Sequence, residues 1–449
     1  MSELVVRSER VVLSEGVRAA AIWVRDGRIG AIAGYADIPG GVRLIDAGEL
    51  VVLPGLVDSH VHINDPGRAS WEGFEHATRA AAAGGVTTLV DMPLNSVPAT
   101  TSVEGFDAKL RAARGRCHVD VGFWGGVVPG NSGSLEPLAA RGVLGFKCFL
   151  SPSGVDEFEH VSEAHLRDAL PILSTLRLPL LAHAELPSML RDPDPARDPR
   201  EYATWLDCRP CQSEHAAIDL LIRLARELDA HIHIVHLASS GALEALVAAR
   251  AAGVRVTVET CPHYLTFAAE EIAAGATAFK CAPPIREREH RERLWNALAA
   301  GHIDLIATDH SPAPPSLKHL DDGDFLRAWG GIASLQIGLA AAWTGAASRG
   351  LPLERMTGWM AEAPARLAGL DRAKGSIAIG RDADLVIWDP DAEAAVVPAS
   401  LHHRHPVTPY AGMRLCGTVR TTIVRGEIVF DEGRVAATRR GELLLGPTR

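Results

Sequence analysis

Short apolar runs alternate with amphipathic, Ala- and Arg-rich segments through the middle of the chain. This alternation is the pattern of parallel strands joined by helices. The clearest connecting helix is predicted at 213–228, where Ile218, Leu221 and Leu224 recur at helical spacing. Eight such units predict an α/β fold, a closed (β/α)8 barrel. The predicted strands are 56–62, 86–91, 119–127, 143–150, 179–183, 231–236, 254–260 and 303–308.

The two ends of the chain have a different texture. Residues 3–52 contain short apolar runs broken by turn residues, and Asp26-Gly27 between two runs is a hairpin signal, so we expect a small antiparallel sheet. Strand-like runs return at 375–377, 384–388, 418–424 and 425–430. The simplest arrangement is one small β-sandwich domain built from 1–53 and 376–449, with a catalytic barrel domain over 54–375.

Two further stretches are uncharged or rich in turn residues. Residues 328–348 form the longest uncharged run, but glycines and polar residues dilute it, so a buried helix is favoured over a membrane span. Residues 312–331 contain proline pairs, Asp-Gly and Gly-Gly, which predict a loop. As a hypothesis, this loop is a lid or a wall of the active face.

Composition narrows the class of protein. A hydrophobic share of 47% is typical of a soluble globular protein, and a net charge of −10 argues against nucleic acid as a partner. The first residues lack a basic end followed by an apolar core, so no secretory signal is visible and the cytoplasm is expected. Seven scattered cysteines do not suggest a disulfide framework, and the lone Cys208-Arg209-Pro210-Cys211 favours two unrelated small residues over a zinc or redox site.

Polar residues of metal-ligating type follow the predicted strands at their carboxyl ends, which form the active face of a (β/α)8 barrel. His60 and His62 are two positions apart, so an extended strand points both to one side. A single histidine among 19 would usually cap a turn or lie on the surface. Together, nitrogen and oxygen donors suit zinc, manganese, cobalt or iron, and carboxylates are too few for calcium. The six candidate ligands are His60, His62, Lys147, His183, His236 and Asp309.

Lys147 is the unusual member, because a protonated lysine cannot bind a metal and an apolar strand disfavours its charge. One interpretation is a lysine whose amino group reaches the barrel mouth. The other is a buried lysine of lowered pKa, whose neutral amine reacts with carbon dioxide to give a carbamate. The two oxygens of a carbamate could bridge two ions.

The motifs around these residues resemble the cyclic amidohydrolases of the amidohydrolase superfamily over nearly the whole chain. The resemblance implies two divalent ions per subunit, zinc first and cobalt or manganese as alternatives, bridged by carboxylated Lys147. It places His60, His62 and Asp309 on the buried ion, and His183 and His236 on the exposed one. The matching motifs are Asp58-Ser59-His60-Val61-His62, Gly145-Phe146-Lys147, Ala182-His183-Ala184-Glu185, Val235-His236 and Ala307-Thr308-Asp309-His310.

Within that superfamily the chain is similar to the allantoinase branch. Dihydroorotases typically carry an arginine two residues after the second histidine, and Asn64 stands there, which counts against dihydroorotate. Hydantoinases and dihydropyrimidinases remain the alternative, because their cyclic substrates also lack a carboxylate. The motifs that carry this likeness are Asp65-Pro66-Gly67-Arg68, Trp71-Glu72-Gly73, Asp91-Met92-Pro93-Leu94-Asn95, Glu259-Thr260-Cys261-Pro262-His263-Tyr264-Leu265, Lys280-Cys281-Ala282-Pro283-Pro284-Ile285-Arg286 and Ala328-Trp329-Gly330-Gly331-Ile332.

The resemblance also implies a reaction and a set of contacts. A hydroxide that bridges the metals would open the cyclic amide of allantoin to give allantoate, with Asp309 carrying the proton to the leaving nitrogen. His263 and His310 would orient ligands, or are histidines satisfied within loops. A non-catalytic scaffold is the competing class, and the complete ligand set speaks against it. Family resemblance suggests a homotetramer. Candidate substrate contacts, each also explicable as a loop residue, are Asn95, Gly154, the backbone of Cys281, and Ser311.

Overall fold

The computed structural model describes residues 3–446; residues 1–2 and 447–449, which the predicted sandwich domain includes, lie outside the described part. The Asp26-Gly27 hairpin is confirmed, since both residues have positive φ values of 51° and 77° as a tight two-residue turn requires. The first five strands are β1 (Glu3–Leu13), β2 (Gly16–Arg25), β3 (Arg28–Ala33), β4 (Arg43–Asp46) and β5 (Val51–Pro54). The prediction of a purely antiparallel sheet is wrong, because β4 and β5 run parallel to β1.

Each of the eight apolar runs contains at least one strand, so the strand predictions are confirmed. Run 119–127 contains two strands separated by Trp124, and its two pieces pair with different neighbours. The strands are short and almost wholly buried, which explains why the runs are apolar on both faces rather than alternating. They are β6 (Leu56–Val61), β7 (Val86–Asp91), β8 (Asp120–Phe123), β9 (Gly125–Gly126), β10 (Phe146–Phe149), β11 (Leu180–His183), β12 (Ile232–Ile234), β13 (Val256–Thr260) and β14 (Leu305–Ile306).

These strands run parallel in two sheets, β6-β7-β8 and β9-β10-β11-β12-β13-β14. Their order in each sheet is their order in the chain, as expected for successive strand–helix units. A parallel bridge joins Val61 to His310, and the His62 amide donates to the His310 carbonyl over 2.8 Å. The residues that follow the last strand therefore contact the end of the first.

Helices connect the parallel strands, and the predicted helix 213–228 is confirmed as α6. The helix predicted over 328–348 is wrong in its first part: residues 328–334 are not helical and the helix begins at Gly338. In residues 3–446 no helix is long and apolar enough to cross a membrane. The helices are α1 (Phe74–Ala83), α2 (Val103–Ala113), α3 (Leu135–Arg141), α4 (Glu163–Leu176), α5 (Tyr202–Cys208), α6 (Cys211–Glu227), α7 (Leu243–Ala251), α8 (Pro262–Thr266), α9 (Arg288–Ala299), α10 (Gly338–Ala347), α11 (Glu354–Thr357) and α12 (Ala363–Leu367), with a π-helical turn at Gly358–Glu362.

The carboxyl-terminal strands return to the amino-terminal ones. Strands β15 (Leu385–Ala395), β16 (Arg414–Val424), β17 (Glu427–Asp431) and β18 (Arg434–Val435) join β1–β5 in one nine-stranded sheet through the β5–β15 pair. The strand predicted at 375–377 is wrong. Gly375 has a φ of 86°, and a Cβ there would lie 2.6 Å from the Ala361 carbonyl oxygen, so this segment is a turn packed against the helical region.

A buried ionic cluster links the parallel strands to the nine-stranded sheet. The Lys374 ammonium lies 2.6 Å from an Asp120 oxygen on β8 and 2.7 Å from an Asp384 oxygen just before β15. All three side chains are almost fully buried, so loss of one partner would leave an uncompensated charge. The cluster thereby fixes how the two parts of the chain meet.

Candidate metal centre

Three candidate ligands meet where β6 ends and the segment after β14 begins. His60 Nε2 and His62 Nε2 lie 3.2 and 3.3 Å from the same oxygen of Asp309. Because their positions are i and i+2 around the end of β6, both rings face one side. Asp309 has a positive φ of 45°, a strained backbone conformation for this residue, which turns its carboxylate towards the histidines.

His183 and His236 form a second pair beside the first. His183 is the last residue of β11 and His236 follows β12, and His183 Nδ1 lies 3.0 Å from His236 Nε2. The His236 ring also lies 5.4 Å from that of His60, centroid to centroid. The two pairs thus form one continuous group of imidazoles. Burial lowers the pKa of both His183 and His236, so both rings are neutral at pH 7, as metal ligation requires.

Two buried carboxylates set the orientation of these rings. Glu259 Oε1 accepts from His60 Nδ1 at 2.5 Å, and Glu185 Oε2 accepts from His183 Nε2 at 2.7 Å. A ring nitrogen that donates to a carboxylate leaves the other nitrogen with a free lone pair. His60 therefore presents Nε2, and His183 presents Nδ1, towards the centre. Carboxylate–histidine pairs of this kind are typical partners of metal ligands.

Glu259 and Glu185 each have a second side-chain partner. Glu259 Oε2 accepts from His233 Nε2 at 3.0 Å, and Glu185 is paired with Arg209. Burial alone would raise the pKa of Glu185, but the charge of Arg209 and the hydrogen bond with His183 together outweigh it and lower this pKa to about 2. The pKa of Glu259 is likewise lowered to about 2, because His60 and His233 outweigh burial. Both groups are ionised at neutral pH.

Lys147 lies in the middle of β10 with its amino group facing these groups. The side chain is fully buried, and Nζ has no hydrogen-bond partner among residues 3–446. Lys147 Nζ lies 4.8 Å from the centroid of the Phe149 ring. Burial lowers the pKa of Lys147 to about 8, although Glu259 and Asp309 act in the opposite direction. Because the side chain is fully buried, the interpretation in which the Lys147 amino group reaches the barrel mouth is wrong.

A further buried carboxylate, that of Asp58, joins two of the segments that carry candidate metal ligands. Asp58 on β6 accepts from Thr308 Oγ1 at 2.5 Å and from the Thr308 amide at 3.2 Å, which ties the first strand to the segment that carries Asp309. Burial raises the pKa of Asp58 to about 6. Its role is therefore to hold the two ligand-bearing segments together.

The centre opens into a cavity of about 300 Å³. All four predicted substrate contacts, Asn95, Gly154, Cys281 and Ser311, line it. His263 and His310 are fully buried and do not line the cavity, and neither does Asn64, whose amide donates to the Pro312 carbonyl at 3.3 Å. The remaining lining comes from residues His60, His62, Leu94, Phe149, Pro152, Ser153, His183, Trp205, Arg209, His236, Lys280, Ala282, Asp309, Leu317, His319, Arg327, Ala328, Trp329, Gly330 and Gly331.

The predicted loop 312–331 forms one wall of this cavity. Apart from a 3₁₀ turn at Pro315–Leu317 it contains no helix or strand, so the loop prediction is confirmed. Trp329 packs edge-on against Trp71, with ring centroids 5.0 Å apart. A Cβ added to Gly154 would lie 3.5 Å from the same indole. Movement of this wall as a lid stays a prediction.

Sequence reasoning quoted Glu185 and Glu259 inside motifs but gave neither a role. Each lies at or just beyond a strand end, and both are fully buried. The available signal was spacing: Glu185 follows the ligand His183 by two positions. The pairing of Glu259 with His60, 199 residues away in the chain, leaves no local signal.

Comparisons with known proteins found a matching family, curated relatives and solved structures. The model of the amidohydrolase family matches residues 51–172 and 212–429. An allantoinase from Streptomyces avermitilis is 50% identical over 98% of this chain and 98% of its own length. An allantoinase from Arabidopsis thaliana is 46% identical over 99% of this chain and 91% of its own length. The solved structure of an L-hydantoinase (dihydropyrimidinase) from Arthrobacter aurescens superposes with a TM-score of 0.92 at 31% identity, covering 99% of this chain and 100% of that one.

Proposed function

The chain belongs to the amidohydrolase family and is a hydrolase of cyclic amides, and from this premise we propose that it opens the hydantoin ring of allantoin to give allantoate. The observation that carries the proposal is a group of four buried histidines and Asp309 at one end of a cavity, beside a buried lysine whose Nζ has no hydrogen-bond partner in residues 3–446. The relatives that share nearly the whole chain, in a bacterium and a plant, carry the name of this activity.

We further propose that the parallel strands close into a (β/α)8 barrel. The Val61–His310 bridge and the continuity of β8 with β9 in the chain support closure. The proposed domains are a barrel over 54–375 and a small β-sandwich over 1–53 and 376–449. The pairing of β5 with β15 supports assignment of both ends to one domain.

The donor set fits two divalent cations. His62 Nδ1, His236 Nδ1 and Lys147 Nζ are buried atoms without a partner in residues 3–446, so the existing hydrogen bonds leave this group incomplete. We propose that His60, His62 and Asp309 hold one ion, that His183 and His236 hold the other, and that Lys147, carboxylated by carbon dioxide, holds both. Zinc suits this set of nitrogen and oxygen donors, with cobalt or manganese as alternatives.

In this mechanism the chain orients the reactants and moves one proton. When bound, the cations supply a Lewis acid for the ring carbonyl and lower the pKa of water to near 7. Burial acts to raise the pKa of Asp309, but His60 and His62 outweigh it and hold this pKa below its ordinary value. Asp309 is therefore ionised and accepts the proton of the attacking water. It then donates this proton to the ring nitrogen as the C–N bond breaks.

The cavity chemistry supports a ring that lacks a carboxylate. Ser311, the Asn95 side chain and the peptide groups of Gly154 and Cys281 offer donors and acceptors for a planar ureide edge. The Cys281 carbonyl already accepts from Trp205 Nε1 at 3.1 Å, which fixes its direction. Arg209, which lines the cavity, is neutralised by Glu185. Asn64, where dihydroorotases carry an arginine, points away to the Pro312 carbonyl.

A second candidate function is that of a hydantoinase or dihydropyrimidinase. The TM-score of 0.92 to an L-hydantoinase (dihydropyrimidinase) favours it at the level of the fold. Sequence identity is higher to the allantoinases, 50% against 31%.

We also propose, from family resemblance, that the protein is a cytoplasmic homotetramer. Light scattering at several protein concentrations checks the oligomeric state.

The direct test supplies metal-replete protein with allantoin and follows the product by ¹³C NMR. We expect a new carboxylate resonance of allantoate, with the ureido carbon unchanged. Matched reactions contain protein treated with a chelator, and the same protein after zinc is returned. Allantoin that remains intact with fully metal-loaded protein would rule out the proposed substrate.

A further inference from the structure

This chain places all of its lysines in the interior. It has five lysines against forty arginines, so arginine supplies nearly all of its positive side chains. None of the five is more than 5% exposed. Lysine is among the side chains least often buried in proteins. The five lysines are Lys109, Lys147, Lys280, Lys318 and Lys374.

Three of the five already have an explanation. Lys109 pairs with Asp91 at 2.6 Å, and Lys374 pairs with Asp120 and Asp384. Lys147 is the proposed bridging ligand. Lys280 and Lys318 remain, and neither has an ion pair with a carboxylate within residues 3–446.

Both remaining ammonium groups bind the same stretch of main chain. Lys280 Nζ donates to the carbonyls of Ala328 at 2.6 Å and Leu326 at 3.2 Å. Lys318 Nζ donates to the carbonyls of Gly331 at 2.5 Å and Trp329 at 3.1 Å. Four carbonyls of the six residues 326–331 are thus bound by two lysines. We call residues 326–331 the braced wall.

The braced wall contacts the places where substrate would lie. Gly331 packs on Ser311 so closely that a Cβ there would lie 2.3 Å from the Ser311 carbonyl oxygen. Trp329 contacts Trp71 and faces Gly154 across the cavity. A displacement of the wall therefore moves the five cavity-lining residues 327–331 together, while the histidines and Asp309 belong to other segments.

A compact ammonium suits this task better than a guanidinium. Its three hydrogens can reach carbonyls that lie in different directions, whereas the planar fork of arginine matches two acceptors side by side. Lys280 also lies 4.2 Å from the Trp205 ring centroid, a favourable cation–π contact. Burial lowers the pKa of Lys318 to about 8, and burial with the neighbouring Lys318 lowers that of Lys280 to about 7. The carbonyl acceptors satisfy the hydrogen-bonding groups of two amino groups that burial would otherwise leave without partners.

We propose that Lys280 and Lys318 are positioning residues that fix the braced wall, and that the wall selects the exocyclic group of the substrate. The second half of this inference rests on the proposed function, because allantoin carries a ureido group on its ring and hydantoin carries none. The reacting ring carbonyl must lie at the histidines and Asp309. Trp329 and Gly331 line the same cavity as these groups, and we assign this part of the cavity to the substituent.

The first measurement is independent of activity. In Lys318→Met, which keeps the length and removes the donors, we expect amide hydrogen exchange in peptides covering 326–331 to accelerate by about tenfold or more, with exchange at β10 and β11 unchanged. Lys318→Gln retains an N–H donor and should lie between the two proteins. Lys280→Gln provides a second route if Lys318→Met does not fold.

The second measurement is kinetic. In Lys318→Met we expect KM for allantoin to rise about tenfold with kcat within about threefold, metal content unchanged, and KM for hydantoin nearly unchanged. The matched control is Lys374→Met, which replaces a buried lysine that does not line the cavity. It should lower Tm but leave both exchange at 326–331 and KM as in the wild type.

These two measurements separate the possible failures. Unchanged exchange at 326–331 in both lysine variants would refute the brace. Faster exchange with equal rises in KM for allantoin and hydantoin would refute selection of the exocyclic group. Faster exchange in a protein that hydrolyses dihydrouracil but not allantoin would refute the proposed function and the selection of the ureido group, and leave the brace standing.

Discussion

Replacement of Glu259 by glutamine tests how the chain prepares its ligands. Glu259 is fully buried and receives His60 Nδ1 at 2.5 Å on one oxygen and His233 Nε2 at 3.0 Å on the other. Glutamine has nearly the same shape, but one acceptor oxygen becomes an NH₂ group. The new NH₂ group must face either His60 Nδ1 or His233 Nε2, both of which donate a hydrogen bond to the wild-type carboxylate. Either His60 or His233 must then change its tautomer or lose its partner.

The expected cost follows from this geometry. Loss of a carboxylate behind a metal-bound histidine typically lowers metal affinity by about 10- to 100-fold, or about 1.4–2.7 kcal/mol. A buried donor left without a partner costs about 1–3 kcal/mol of folding stability. At about 2.1 cal/mol/K of unfolding entropy per residue, each kcal/mol lowers the Tm of this 449-residue chain by about 1 °C. Glu259→Gln should therefore lose metal more readily and melt a few degrees lower.

The assay measures zinc retained after dialysis against a graded series of chelator concentrations, with Tm recorded on the same samples. Glu289→Gln is the matched control, since this glutamate makes the same chemical change with its side chain 72% exposed. We expect the control to retain metal like the wild type. Wild-type zinc retention in correctly folded Glu259→Gln would show that the Glu259–His60 pair does not prepare a ligand.

Three further predictions concern the same site. Lys147→Ala should abolish metal-dependent hydrolysis, with partial recovery on addition of short carboxylic acids that replace the carbamate; full activity without them would exclude a bridging role. Because burial lowers the pKa of Lys147 to about 8, its neutral fraction is about half at pH 8 and levels off only above about pH 9. The yield of reconstitution by zinc at constant dissolved carbon dioxide should follow this curve, whereas a rise continuing to about pH 10 would indicate an ordinary exposed amine. Gly331→Ala should lower kcat/KM at least about tenfold through its contact with Ser311, while Gly130→Ala, which also has positive φ but no atom within 4 Å, should not.

The sequence predicted the strands well, because strands buried on both faces leave continuous apolar runs between helical segments. It failed where tertiary contacts decide the local conformation. Residues 375–377 have the composition of a strand, yet Gly375 adopts a positive φ against Ala361. Residues 328–334 look like the start of a buried helix, but they are not helical, and the carbonyls of Ala328, Trp329 and Gly331 accept from Lys280 and Lys318.

The candidate site shows the same division. His60 and His62 are recognisable because their spacing matches the period of a strand, and the other ligands because they follow apolar runs. The carboxylate that orients His60 belongs to Glu259, which is distant in the chain. Asp58, which holds the segment of Asp309 in place, likewise binds a distant residue, Thr308. Pairings of this kind exist only once the strands are ordered side by side, so periodicity along the chain cannot reveal them.

The most direct test of the proposed reaction compares kcat/KM for allantoin, hydantoin and dihydrouracil on one preparation of metal-replete protein. We expect allantoin to be hydrolysed with the highest kcat/KM and hydantoin more slowly, because the cavity wall around Trp329 then contacts no ureido group. A kcat/KM for dihydrouracil far above that for allantoin would contradict the proposed function.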